Sequence, residues 1–127
     1  MATETNFPPV FARLRATLID NTPGAFIGKE GPECLALYTR QTQTPKPYEW
    51  FAGVEIKKNY VSYHLMSVYV YPDLVEDISD ALRKRMQGKA CFNFKTEDDA
   101  LFAELAAVTR AGWERFQAQG WPARPLP

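Results

Sequence analysis

The chain carries one histidine, His64, and two cysteines, Cys34 and Cys91, and around them stand Glu55, Ser62 and two lysines, Lys57 and Lys89. An imidazole is the side chain that changes charge near neutral pH, so His64 could act as a general base with Glu55 orienting it. Cys91 could serve as a nucleophile if Lys89 lowered its pKa, because the thiolate is the reactive form. Glu55, His64 and Cys91 together would offer three metal ligands, if their strands are neighbours. Ser62 is excluded as a hydrolase nucleophile: it lies in mid-strand, without the sharp turn that presents a reactive hydroxyl. Each of these has a plainer counterpart. Histidines and cysteines in strands are commonly hydrogen-bonded or packing residues, and no catalytic residue is expected here.

Positioning them requires a hairpin. Tyr48 to Lys57 and Tyr60 to Tyr71 are rich in aromatic and β-branched residues, and Lys58-Asn59 between them suits a two-residue loop, asparagine tolerating the left-handed backbone such loops use. That loop sets the register: Glu55 opposes Ser62, Val54 opposes Tyr63, Gly53 opposes His64 and Ala52 opposes Leu65. Because side chains alternate with period two, Ala52, Val54, Ile56, Val61, Tyr63 and Leu65 form a core face. Gly53, Glu55, Lys57, Tyr60, Ser62 and His64 form the other.

The flanking elements follow from periodicity and punctuation. Phe7-Pro8-Pro9 opens a first helix with a stripe of Val10, Phe11, Leu14 and Leu18, stopped by Asn21-Thr22-Pro23-Gly24. Apolar runs at Ala25–Gly28 and Cys34–Thr39 predict a strand pair, or a strand and a loop, separated by Lys29-Glu30-Gly31-Pro32. Arg40–Pro47 is polar and proline-containing, hence a loop. The second hairpin strand is expected to bend near Met66-Ser67 and continue as Val68–Tyr71. From Pro72, Leu74, Ile78, Leu82 and Met86 predict a second helix capped by Gly88. Lys89–Lys95 alternates as a strand with Ala90, Phe92 and Phe94 on one face. Thr96 is expected to cap a final helix carrying Leu101, Leu105, Val108, Trp113 and Phe116, ended by Gly120.

This order of elements predicts an α+β domain, a mostly antiparallel sheet with helices on one face. One domain over residues 1–127 is expected, with tails at 1–6 and 121–127. The uncovered face then gathers Glu55, Lys57, Tyr60, Ser62 and His64 from the hairpin with Lys89, Cys91 and Asn93 from the later strand. These eight residues are the candidate ligand-binding site. Tyr38, Tyr48, Trp50, Tyr60, Tyr69 and Tyr71 are many aromatics for so small a sheet, suited to core packing, a pocket or a dimer surface.

With 127 residues, 15 basic and 15 acidic side chains and no net charge, the chain lacks the field that draws proteins to nucleic acid or anionic lipid, and neither partner is expected. The basic Arg83-Lys84-Arg85 run and the acidic Glu97-Asp98-Asp99 run are read as helix-end charges that complement the helix dipole. No targeting peptide and no run of roughly 18 apolar residues is read, so a soluble, cytoplasmic protein with free thiols is expected.

The runs FAGVEIKKNYVSY (Phe51–Tyr63) and KRMQGKACFNF (Lys84–Phe94), with the closing helix, resemble the YdhG-like bacterial family. That group is a domain of unknown function, some members of which are described as frataxin-like iron chaperones. The resemblance implies an α+β domain and carries no catalytic residues. Frataxins meet iron on an acidic first helix, whereas the first helix here offers Arg13, Arg15 and a terminal Asp20. No strong iron binding is therefore expected, and no cofactor or resident metal. The expected function is a small binding domain whose open sheet face takes a small molecule, a metal or a second copy of the chain. The alternative is an enzyme using His64 and Glu55, or Cys91.

Overall fold

A computed structural model describes residues 7–38 and 50–118. Helix α1 (Phe7–Asp20) begins with Pro8 and Pro9 in its first turn and buries Val10, Phe11, Leu14 and Leu18. The sheet consists of β1 (Phe26–Gly31), β2 (Cys34–Tyr38), β3 (Trp50–Ile56), β4 (Val61–Leu65), β5 (Met86–Gln87) and β6 (Cys91–Phe94). Its spatial order is β1-β2-β3-β4-β6-β5, and every pairing is antiparallel. Helix α4 (Asp99–Ala118) lies with α1 against the sheet. Both helices meet the face built by Leu35, Leu37, Val54, Val61, Tyr63, Leu65, Phe92 and Phe94, all buried. At about 1.5–3 kcal/mol for each large apolar side chain taken out of water, this one layer dominates the favourable side of folding.

The predicted register of β3 and β4 is the one observed. Ala52 opposes Leu65, Gly53 opposes His64, Val54 opposes Tyr63, Glu55 opposes Ser62 and Ile56 opposes Val61, and the Lys57 amide donates to the Tyr60 carbonyl at 2.7 Å. The loop chemistry differs from the expectation. Among the described residues no non-glycine residue has positive φ, so Asn59 closes the loop without the left-handed conformation.

The boundaries depart from the sequence pattern in four places. Lys29, Glu30 and Gly31 belong to β1, and the turn falls later, at Pro32-Glu33. Residues predicted to extend the hairpin strand instead form α2 (Met66–Val70), burying Ser67 and Val68. Val68 and Val70 favour strand locally, but packing of this segment against α4 overrides that preference. The helix predicted from Pro72 to Met86 is broken into a 3₁₀ turn (Pro72–Val75) and the single turn α3 (Asp80–Arg83). The break coincides with a tertiary contact: the Ser79 amide, which would continue a helical ladder, donates to the Glu104 carboxylate of α4, while the Ser79 hydroxyl accepts from the Leu82 amide. Gly88 has the expected left-handed φ of 74°, but it serves the turn between β5 and β6. Finally, Asp98 rather than Thr96 caps α4, accepting from the Leu101 amide at 3.0 Å. The Arg40–Pro47 loop, Tyr48 and Gly120 lie outside the described residues.

Candidate site on the open sheet face

Antiparallel pairing lines up two rows of side chains on the face that α1 and α4 leave bare. One row runs Ala36, Gly53, His64, Cys91 across β2, β3, β4 and β6. The next runs Cys34, Glu55, Ser62, Asn93. A bulge brings in a third participant. Between Leu37 and Tyr38 the pairing with β3 skips a residue, so that Leu37 opposes Ala52 and Tyr38 opposes Trp50. Phe51 consequently joins Ala52 in the core, edge-on to Trp113 and Phe116, and Trp50 is placed over the open face.

Glycine makes room there. A Cβ at Gly53 would lie 3.1 Å from Cζ2 of Trp50 and 3.0 Å from the Leu35 carbonyl oxygen. The indole therefore lies directly against the backbone of β3, and its ring centroid is 4.7 Å from that of His64 with 31° between the planes. The space over Gly53, opposite His64, is filled by the Trp50 indole. A second glycine does the same at the sheet's edge, where the Tyr38 ring covers Gly28 and the β1 register shifts.

The result is a cleft of about 320 Å³ whose lining includes Tyr38, Trp50, Lys57, Ser62, His64 and Cys91. A more apolar hollow of about 490 Å³ adjoins it across Trp50, His64 and Cys91 and is bordered by Met66, Tyr69 and Lys89. Such concave, mainly apolar surfaces with a few convergent polar groups are the common form of small-molecule sites.

Within the cleft, His64 and Cys91 are partners: Nδ1 of the imidazole lies 2.7 Å from Sγ. Burial pulls the His64 pKa below its ordinary value. Burial pushes the Cys91 thiol up, opposed by a hydrogen bond from Ser62 and the positive charge of Lys57. Both shifts favour uncharged groups, so the resting pair is a neutral thiol beside a neutral imidazole.

The eight residues expected at the site separate into three groups. Glu55, Lys57, Ser62, His64 and Cys91 share the cleft. Lys89 borders the adjoining hollow. Its predicted part in lowering the Cys91 pKa falls to Lys57, and the net shift is upward. Tyr60, half-buried at the hairpin end, and Asn93 are outside the cleft lining; Asn93 donates to Gln87 at 2.7 Å. The expected His64–Glu55 pairing is replaced as well. Glu55 sits one row away and is bound by Lys57 at 2.9 Å, so the partner that orients the imidazole is Cys91. Among the described residues no cluster of three His, Cys, Asp or Glu side chains could hold a metal ion, and Glu55, His64 and Cys91 do not converge as ligands. Trp50 and Tyr38, read from the sequence only as part of an aromatic set suited to core packing, a pocket or a dimer surface, both line the cleft. The bulge that turns Trp50 outward has no sequence signal beyond the aromatic excess, since strict alternation from Ala52 places Trp50 in the core.

No protein-family model, curated protein or solved structure matches the chain. Among the described residues no helix is long and apolar enough to cross a membrane.

Proposed function

We propose that this chain is a small binding domain that takes a flat, partly aromatic small molecule in the cleft of its open sheet face. The observation that carries it is the placement of the Trp50 indole against Gly53 and His64. A large aromatic ring lines a cleft that also offers a hydroxyl, a thiol and an imidazole, and stacking with hydrogen bonding at its edge is the recognition this arrangement supplies. The proposal includes kinship with the YdhG-like family, a cytoplasmic setting and action without nucleic acid or membrane. It leaves out an iron role. Arg13 on α1 is occupied by Glu97 at 3.0 Å and Asp99 at 2.7 Å, and Arg15 pairs with Glu30, so the first helix presents cations where an iron carrier would need free carboxylates.

The test is a fragment screen by protein NMR on the full chain. Aromatic fragments with hydrogen-bonding edges are expected to shift the amides of Gly53, Ser62, His64 and Cys91, and Trp50→Ala is expected to abolish those shifts. Hits that map elsewhere, or shifts that survive Trp50→Ala, overturn the proposal. A dimer in sedimentation that protects the Trp50 indole from quenching would instead give the face to a second copy of the chain.

A further inference from the structure

The two cysteines share one face of the sheet and both line the cleft of about 320 Å³, but their immediate partners differ. Cys34 and Cys91 are separated by β3 and β4, three strand spacings or roughly 14 Å. That is too far for a disulfide between them, which requires Cα atoms within about 7 Å. Each thiol must therefore react, if it reacts, with something from outside. Only Cys91 has the means. Its sulfur lies 2.7 Å from Nδ1 of His64, it receives a hydrogen bond from Ser62 and it feels the charge of Lys57. It also lines both the cleft of about 320 Å³ and the apolar hollow of about 490 Å³, so a group attached to the sulfur has room on either side.

We propose that Cys91 is a thiol-exchange site, at which a small-molecule disulfide entering the cleft forms a mixed disulfide with His64 serving as the base. The proposal stands apart from reversible ligand binding, since it concerns a covalent bond to one named atom. In the step, Sγ of Cys91 attacks one sulfur of the incoming R–S–S–R. The S–H proton passes to Nδ1 of His64 as the new S–S bond forms and the old one breaks. The departing R–S⁻ takes that proton from the imidazolium and leaves as R–SH. Cys91 is oxidised to the mixed disulfide, one half of the incoming disulfide is reduced to a thiol, and the imidazole is returned neutral.

The neutral resting pair suits this role. A thiol kept protonated is protected from indiscriminate oxidation, and a base in contact with it creates the nucleophile only as the bond is made. Ser62 and Lys57 supply the hydrogen bond and positive charge that steady the developing thiolate. The charged groups sharing the clefts with the dyad are Lys29, Glu55, Lys57 and Lys89, and Glu55 is engaged by Lys57.

The experiment treats the full-length protein with bis(2-hydroxyethyl) disulfide and follows each cysteine by intact mass and peptide mapping, with Cys34→Ser, Cys91→Ser and His64→Gln as variants. Cys91 is expected to be modified about tenfold or more faster than Cys34. His64→Gln should slow Cys91 on the order of a hundredfold or more, the scale of a lost general base. The pH profile separates a base from a merely structural histidine. With His64 already deprotonated, the wild-type rate should be flat between about pH 7 and pH 8, whereas a bare thiol well below its pKa gains about tenfold per pH unit. Equal rates at the two cysteines, a His64→Gln rate equal to wild type, or a wild-type rate that climbs tenfold per unit would each overturn the proposal. Should His64→Gln fail to fold, the Cys91 to Cys34 ratio and the wild-type pH profile decide the matter alone.

Discussion

Substituting alanine at Gly112 tests how closely α4 is seated on α2. The added Cβ would lie 2.2 Å from Oγ and 2.7 Å from Cβ of Ser67, a residue with no exposed surface. Carbon atoms in contact normally sit about 3.5–4.0 Å apart. A rotamer change moves Oγ but not Cβ, so the two helices must separate by about 1 Å. Overpacking of this kind costs about 1–3 kcal/mol, and the rigid Cβ contact places Gly112→Ala near the top of that range. Alanine recovers about 1 kcal/mol through its helix propensity, leaving a net loss of roughly 2 kcal/mol. Ser67→Gly removes both clashing atoms, and with them a buried hydroxyl that has no hydrogen-bond partner among the described residues. Glycine in α2 costs about 1 kcal/mol by itself. The double variant should therefore be more stable than Gly112→Ala alone by roughly 2 kcal/mol, with a favourable coupling of about 3 kcal/mol between the two positions, the full overpacking term. Urea unfolding followed by circular dichroism measures all four proteins on one scale. A Gly112→Ala protein as stable as wild type, or two substitutions whose effects simply add, would refute the account of this interface.

Two other outcomes are expected. Because burial lowers the His64 pKa in the fold, the unfolded chain binds more protons between its own value of about 6.5 and the folded one, so this contribution to stability is intact above about pH 6.5 and is lost as pH falls below it. His64→Ala should flatten that acid limb while changing stability at neutral pH by no more than about 1 kcal/mol, since the ring is only half-buried and loses one hydrogen bond and one stacking partner; a loss of several kcal/mol at neutral pH would make His64 a core residue and remove the site. Tyr63→Phe deletes the buried hydroxyl 2.6 Å from Oγ1 of Thr109, and because Thr109 still donates to the Leu105 carbonyl, thermal and urea unfolding should report a loss of about 1 kcal/mol.

The amino-acid sequence by itself determined the β3–β4 register, the α1 stripe and the face to which each hairpin residue belongs. In each, polar and apolar residues alternate with a period that only one arrangement can bury, and a slip by one residue would put Glu55, Lys57 and His64 into the core. Glu55, Lys57, Ser62, His64 and Cys91 were legible as cleft residues for the same reason. Only the tertiary structure decided where the apolar spacing of Pro72–Met86 ceases to be helix, because Glu104, 25 positions away from Ser79 in the chain, captures the amide the helix would need. The same holds for Val68 and Val70, strand-formers held as a helix beside α4. At the site, the deciding contacts are likewise distant in sequence. His64 and Cys91 are 27 residues apart, and their meeting depends on β4 pairing with β6 across the inserted helices. Trp50 reaches them only because a bulge opposite Tyr38 turns it outward and Gly53 has no side chain to hold it off. Local periodicity records which face a residue belongs to; which residues touch on that face depends on strand order and bulges, and these are set by how the whole sheet closes on its helices.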